Sequence, residues 1–84
     1  MAVITNRLGL HARAAAKLVE AAARFRSVIQ VTKDGEAVDA RSILGLMMLN
    51  ARTGTQIEVS AEGSDAREAL SAVLALIDAK FGED

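Results

Sequence analysis

Hydrophobic and polar positions along this chain switch repeatedly between a period of two and a period near 3.6. Residues Ala2 to Asn6 carry the β-branched run Val3, Ile4 and Thr5 and stop at the turn-compatible pair Asn6 and Gly9, which predicts a first strand. From Ala12 to Ala23, Ala15, Leu18, Val19 and Ala22 recur at helical spacing, while Arg13, Lys17, Glu20 and Arg24 fall elsewhere on the wheel. This amphipathic helix starts directly after His11. In Ser27 to Lys33, Ile29 and Val31 alternate with Gln30 and Thr32, and Asp34-Gly35 is a favoured two-residue turn before Glu36 to Asp39, so a hairpin is expected. Ser42 to Asn50 reads as a short helix, with Ser42 as its N-cap and Asn50 as a left-handed stop. After the Thr53-Gly54 turn, Thr55 to Ala61 places Ile57 and Val59 on one face and Gln56, Glu58 and Ser60 on the other. The final segment has Ser64 and Asp65 before Leu70, Val73, Leu74, Ile77 and Phe81, with Asp65 and Glu68 spaced as an approximate capping box and Gly82 beyond the end. The order βαββαβα, with strands that need cover on one face only, predicts an α+β open-faced sandwich: a four-stranded antiparallel sheet under three helices.

Composition narrows the function classes. At 84 residues the chain is expected to be one domain over 1–84, and a domain of this size buries only about 60–65% of the surface its unfolded chain exposes. There is no cysteine, so neither a disulfide framework nor a thiolate metal site is available, and a cytoplasmic address is expected. No segment has the form of a signal peptide or of a membrane span. Ten basic against eleven acidic residues lack the basic excess that a phosphate backbone demands. An RNA-binding sheet would need exposed stacking aromatics, and the two available, Phe25 and Phe81, sit at core-like spacing.

The single histidine lies in Leu8-Gly9-Leu10-His11-Ala12-Arg13-Ala14-Ala15-Ala16. An imidazole can accept a proton, bind a metal or carry a phosphoryl group. No carboxylate stands at helical spacing from His11 to complete a metal site, and no nucleophile elbow suggests a hydrolase. Its place just before a helix favours an anion: the first backbone N–H groups lack intrahelical partners, and the dipole adds about half a positive charge there. Gly9, Ala12, Ala14 and Ala15 are small, and Arg13 adds a planar, always charged donor for phosphate oxygens. Local physics leaves two readings standing, a phosphoryl seat and a surface histidine that caps a helix beside an ordinary arginine.

A longer pattern bears on that choice. "GLHARAA", followed about thirty residues later by "ARSILGLMMLNA", resembles the histidine-containing phosphocarrier proteins, HPr, of the bacterial phosphoenolpyruvate-dependent phosphotransferase system, with their nitrogen-related paralogue NPr. The resemblance covers nearly the whole chain and keeps its element order. It implies that His11 is phosphorylated on Nδ1 by Enzyme I and passes the group to IIA-type proteins, serving sugar uptake or nitrogen-related regulation, with no cofactor and no metal. It also implies that Arg13 is the neighbouring active-site arginine and that Ser42 matches a serine phosphorylated by a regulatory kinase in some bacteria. A carrier of this kind is a stoichiometric relay rather than an enzyme, and is expected to be a monomer. An alternative is a regulatory relative that acts mainly by phosphorylation-dependent binding to target proteins. One departure is visible: the family's usual proline after His-Ala-Arg is Ala14 here. "GTQIEV" and the acidic tail Gly82-Glu83-Asp84 lean toward the nitrogen branch.

The second motif has too many apolar residues for one buried face. The resemblance places Ile43, Leu44 and Met47 on a partner-binding surface, for which methionine's adaptable side chain is suited. Leu46 and Leu49 are the better core candidates. Ser42 also has a plain role as an N-cap, and phosphate there is expected to weaken docking rather than unfold the domain.

Overall fold

The computed structural model describes residues 1–83, so Asp84 of the acidic tail lies outside the described residues. Asp34 and Gly35 adopt φ of 52° and 82°, the double left-handed turn whose twist matches a hairpin, and they join β2 (Val28–Lys33) to β3 (Glu36–Asp39). With β1 (Ala2–Val3) and β4 (Gln56–Glu62) they form a four-stranded sheet in the order β1-β4-β2-β3, each neighbouring pair antiparallel. Val31 pairs with Val38 on one side and Val59 on the other. Ile29, Val31, Ile57 and Val59 are buried, while Val28, Gln30, Glu58 and Ser60 on the opposite face are exposed. This is the open-faced α+β sandwich that the alternation predicts.

Three helices cover the buried face: α1 (Ala12–Ala22), α2 (Ile43–Met48) and α3 (Ala66–Asp78). Helix α3 lies on β4 and β2 through Ala69, Val73 and Ile77, and α1 packs against α3 and α2 through Ala14, Ala15, Leu18 and Ala22. Alanine at these positions lets helices approach closely, which is how a chain poor in aromatics closes its core. Burying Leu18, Leu46 or Ile77 contributes about 1.5–3 kcal/mol each.

The segment after α3 departs from expectation. The helix stops at Asp78 instead of running to Phe81, and a single 3₁₀ turn, Lys80–Gly82, follows, with Lys80 and Phe81 at φ of 58° and 56°. Phe81 is buried, so its large apolar ring is anchored in the core by reversing the chain rather than by helical periodicity. The capping box is also absent. Asp65 makes no side-chain bond to its own helix; its carboxylate accepts from the backbone N–H of Arg26 and Ser27 and from the Ser27 hydroxyl. Those bonds, the Ser27 hydroxyl first, hold the Asp65 carboxyl below the ordinary carboxylate range.

Candidate functional site

The turn leading into α1 is fixed by backbone contacts. Gly9 has φ +69°, its N–H donates to Asn6 O at 3.1 Å, and Leu10 N–H donates to Ala51 O at 2.9 Å. A Cβ on Gly9 would stand 2.6 Å from Ala51 O and 2.9 Å from Arg52 Cα, so only glycine lets the turn press this close to the segment that follows α2. Helix α1 therefore starts from a position set by two parts of the chain.

His11 is the N-cap, with extended backbone (φ −86°, ψ −178°), and the Ala15 N–H donates to its carbonyl at 2.8 Å. Its Nδ1 accepts from the Arg13 backbone N–H at 3.3 Å. Its Nε2 lies 2.7 Å from Glu83 Oε2, and the histidine side chain keeps 25% of its surface exposed. The reversal after α3 is what brings Glu83 here. Lys17 Nζ donates to Phe81 O at 2.6 Å, tying that turn to α1. Asn6, read from sequence only as a turn residue, is fully buried, and its Nδ2 donates to Gly9 O at 2.7 Å and to Glu83 Oε1 at 3.0 Å. The Asn6 amide is the main cause that holds the Glu83 carboxyl below its ordinary range; burial opposes it, and His11 and the charge of Arg13 add to it.

Arg7, Leu8, Arg13, Lys17, Gly82 and Glu83 line an open hollow of about 280 Å³, and two of them, Arg13 and Glu83, are hydrogen-bond partners of His11. Three cations and one carboxylate line it, near the positive end of the α1 dipole, an environment that attracts a phosphate-sized anion. The lone-pair nitrogen of a neutral imidazole in this setting is a nucleophile toward phosphorus. Among the described residues, no group of three or more His, Cys, Asp or Glu is placed to hold a metal ion.

The second motif lies alongside. Ser42 is the N-cap of α2, and its Oγ accepts from the Gly45 N–H at 2.9 Å; Asn50 has φ 54° at the other end. Lys33 Nζ donates to the Leu49 and Asn50 carbonyls at 2.9 and 3.3 Å, closing the helix C-terminus. Leu46 and Leu49 are buried, whereas Ile43, Leu44 and Met47 are exposed, Leu44 to 70%. Met48, at 71%, and Leu8, at 61%, are exposed as well and add apolar surface that the sequence reading did not single out. It also missed Asn6, Lys17 and Glu83. No local pattern connects Asn6 to a residue 77 positions away.

The chain is similar to known proteins over nearly its full length. A family model described as "PTS HPr component phosphorylation site" matches residues 1–79. The phosphocarrier protein HPr of Cupriavidus necator is 49% identical over 80 residues, 95% of this chain and 90% of that protein. The phosphocarrier protein NPr of Escherichia coli is 45% identical over 82 residues, 96% of this chain and 91% of that one. Among solved structures, HPr-C-His from Thermoanaerobacter tengcongensis superposes with a TM-score of 0.93 at 48% identity, covering 98% of this chain and 92% of that one.

Proposed function

Because the chain belongs to the HPr phosphocarrier family of the phosphotransferase system, we propose that His11 is its phosphoacceptor, taking the group from phosphorylated Enzyme I and giving it to a IIA-type protein. The observation that carries this reading is the place of His11 Nδ1: at the N-cap of α1, with the Arg13 N–H donating to it at 3.3 Å. In the forward step the Nδ1 lone pair attacks phosphorus, a P–N bond forms, and the bond from phosphorus to the donor atom breaks with its electron pair going to the donor. Handover to the acceptor is the same exchange in reverse. Arg13 and the α1 amides offset the charge on the phosphoryl oxygens, and the helix dipole favours it there. The chain acts as a relay and has no small substrate of its own.

Ile43, Leu44 and Met47, with Met48 and Leu8, form the surface on which Enzyme I and the IIA-type protein dock in turn. A carrier has to release each partner, and a modest apolar patch with flexible methionines suits brief contact. Ser42, exposed at the edge of that patch, is the regulatory phosphorylation position. Its phosphate is tolerated by the helix start but costly to bury under a partner. Ser42→Asp should therefore weaken binding to Enzyme I without lowering the melting temperature, and equal affinity would count against that role.

The test of the main reading is incubation with Enzyme I and phosphoenolpyruvate. The chain should gain an acid-labile, base-stable phosphoryl group that is absent in His11→Ala; label that persists in His11→Ala would sink it. Offering the labelled carrier to IIA proteins of the sugar and nitrogen branches then assigns the branch by the faster acceptor.

A further inference from the structure

Asn6 is fully buried yet its Oδ1 has no hydrogen-bond partner among the described residues. An orphaned buried oxygen is destabilising, and native structures seldom keep one without a reason. Turning the amide over does not help, because both groups facing Nδ2 are acceptors only: the Gly9 carbonyl and the Glu83 carboxylate. Asn6 thus gives up its own acceptor to present two donors, one fixing the turn before His11 and the other fixing Glu83.

The C-terminal segment shows the same directed strain. Lys80 and Phe81 both adopt the left-handed conformation, which non-glycine residues hold only when their surroundings enforce it. Here the buried Phe81 ring and the Lys17 bond to Phe81 O do so. The consequence of both devices is local, a carboxylate delivered to Nε2 of His11 at 2.7 Å. The matched family span ends at residue 79, so Glu83 lies beyond it.

We propose that Asn6 and Glu83 are positioning residues for the phosphoryl site: together they keep the proton of the His11 imidazole on Nε2 and so keep the lone pair on Nδ1. An ionised carboxylate only accepts, so a neutral ring bonded to it must carry its proton on Nε2. The proposal rests on the reading of His11 as phosphoacceptor, and it removes any proton movement from the transfer. When Nδ1 takes the phosphoryl group, the Nε2 proton stays and the ring becomes cationic, paired with Glu83. When the group departs, the P–N electron pair returns to Nδ1 and the same neutral tautomer is restored. Arg7 and Arg13, which line the hollow with Glu83, remain for the phosphoryl oxygens.

The test uses the full chain with ¹⁵N-labelled histidine at mildly alkaline pH, where the shifts of the two ring nitrogens report which one bears the proton. The parent should be almost wholly the Nε2–H form. In Glu83→Gln the side chain has one acceptor oxygen for two donors, and the ratio should move about tenfold toward Nδ1–H. Asn6→Ala, which frees the carboxylate without removing it, should move the ratio the same way by less. The initial rate of labelling by Enzyme I should follow the fraction of rings in the Nε2–H form, so it should fall only slightly when the ratio moves about tenfold from an almost pure parent. A Glu83→Gln ratio within about twofold of the parent overturns the proposal, and so does a slower labelling rate with an unchanged ratio. The tautomer readout needs no phosphoryl donor, so a parent that fails to label would overturn the carrier reading while leaving the positioning result to stand.

Discussion

Helices α1 and α2 both begin with a side chain that accepts a hydrogen bond from the first turn, yet the two caps are built differently. Ser42 Oγ lies 2.9 Å from the Gly45 N–H and serves the helix. His11 Nδ1 lies 3.3 Å from the Arg13 N–H, at the long end of the useful range, while the ring is drawn to Glu83 at 2.7 Å on its other side. Length and burial account for the difference. Helix α1 has eleven residues and buries Ala14, Ala15, Leu18 and Ala22, whereas α2 has six and buries only Leu46. A helix held by packing can lend its N-cap to chemistry. A short helix that turns its apolar residues outward depends on its cap.

The strongest way to break this contrast is at Gly9, because α1 starts where the Gly9 turn meets the Ala51–Arg52 backbone. Gly9→Ala combines a left-handed alanine with a contact of 2.6 Å to Ala51 O. It should destabilise the domain by about 2–4 kcal/mol in chemical denaturation and disturb His11 with it. A loss below about 1 kcal/mol would mean that the turn is soft and that packing alone does not place α1.

The next effect compares the caps directly. Ser42→Ala should cost about 1 kcal/mol of stability and leave labelling unchanged. His11→Ala should cost less than Ser42→Ala in the same denaturation experiment, since it removes only a long cap bond and a partly exposed pair with Glu83, and should abolish labelling. Denaturation of both variants beside a labelling assay checks the crossing. If His11→Ala were the more destabilising of the two, the idea that α1 spares its cap would be wrong.

Much of the architecture was legible because it rests on short-range patterns. The alternation at Ile29, Val31, Ile57 and Val59 reveals the covered face, and Asp34-Gly35 reveals the hairpin. The motif around His11 and the surplus of apolar residues between Ile43 and Met48 were visible for the same reason. What escaped was set by tertiary contacts. Phe81 fits a helical register in sequence, but the core takes its ring only after the chain reverses at Lys80. Asp65 has a capping residue's spacing, but Ser27 and the Arg26 backbone offer it more donors than its own helix does. The His11, Asn6 and Glu83 cluster joins the two ends of the chain, and no local rule of periodicity or capping carries information across such a separation.

The smallest expected effect concerns Ala14, the third residue of α1 and the place where the resembled family usually has proline. Its N–H is among the first four of the helix, which have no intrahelical acceptor, so proline there removes no helical bond. Restricting the unfolded chain would add about 0.4–1 kcal/mol of stability. Two observations work against that gain: Ala14 is fully buried, so the ring needs room from neighbours, and Arg13 must stay helical before a proline that disfavours it. Ala14→Pro should therefore raise stability by less than about 0.5 kcal/mol, a rise in melting temperature of no more than about 2–4 °C, and leave the labelling rate within about twofold. A gain above about 1 kcal/mol with faster labelling would show that the start of α1 lacks preorganisation in the parent, and the contrast between a packing-held α1 and a cap-held α2 would have to be redrawn.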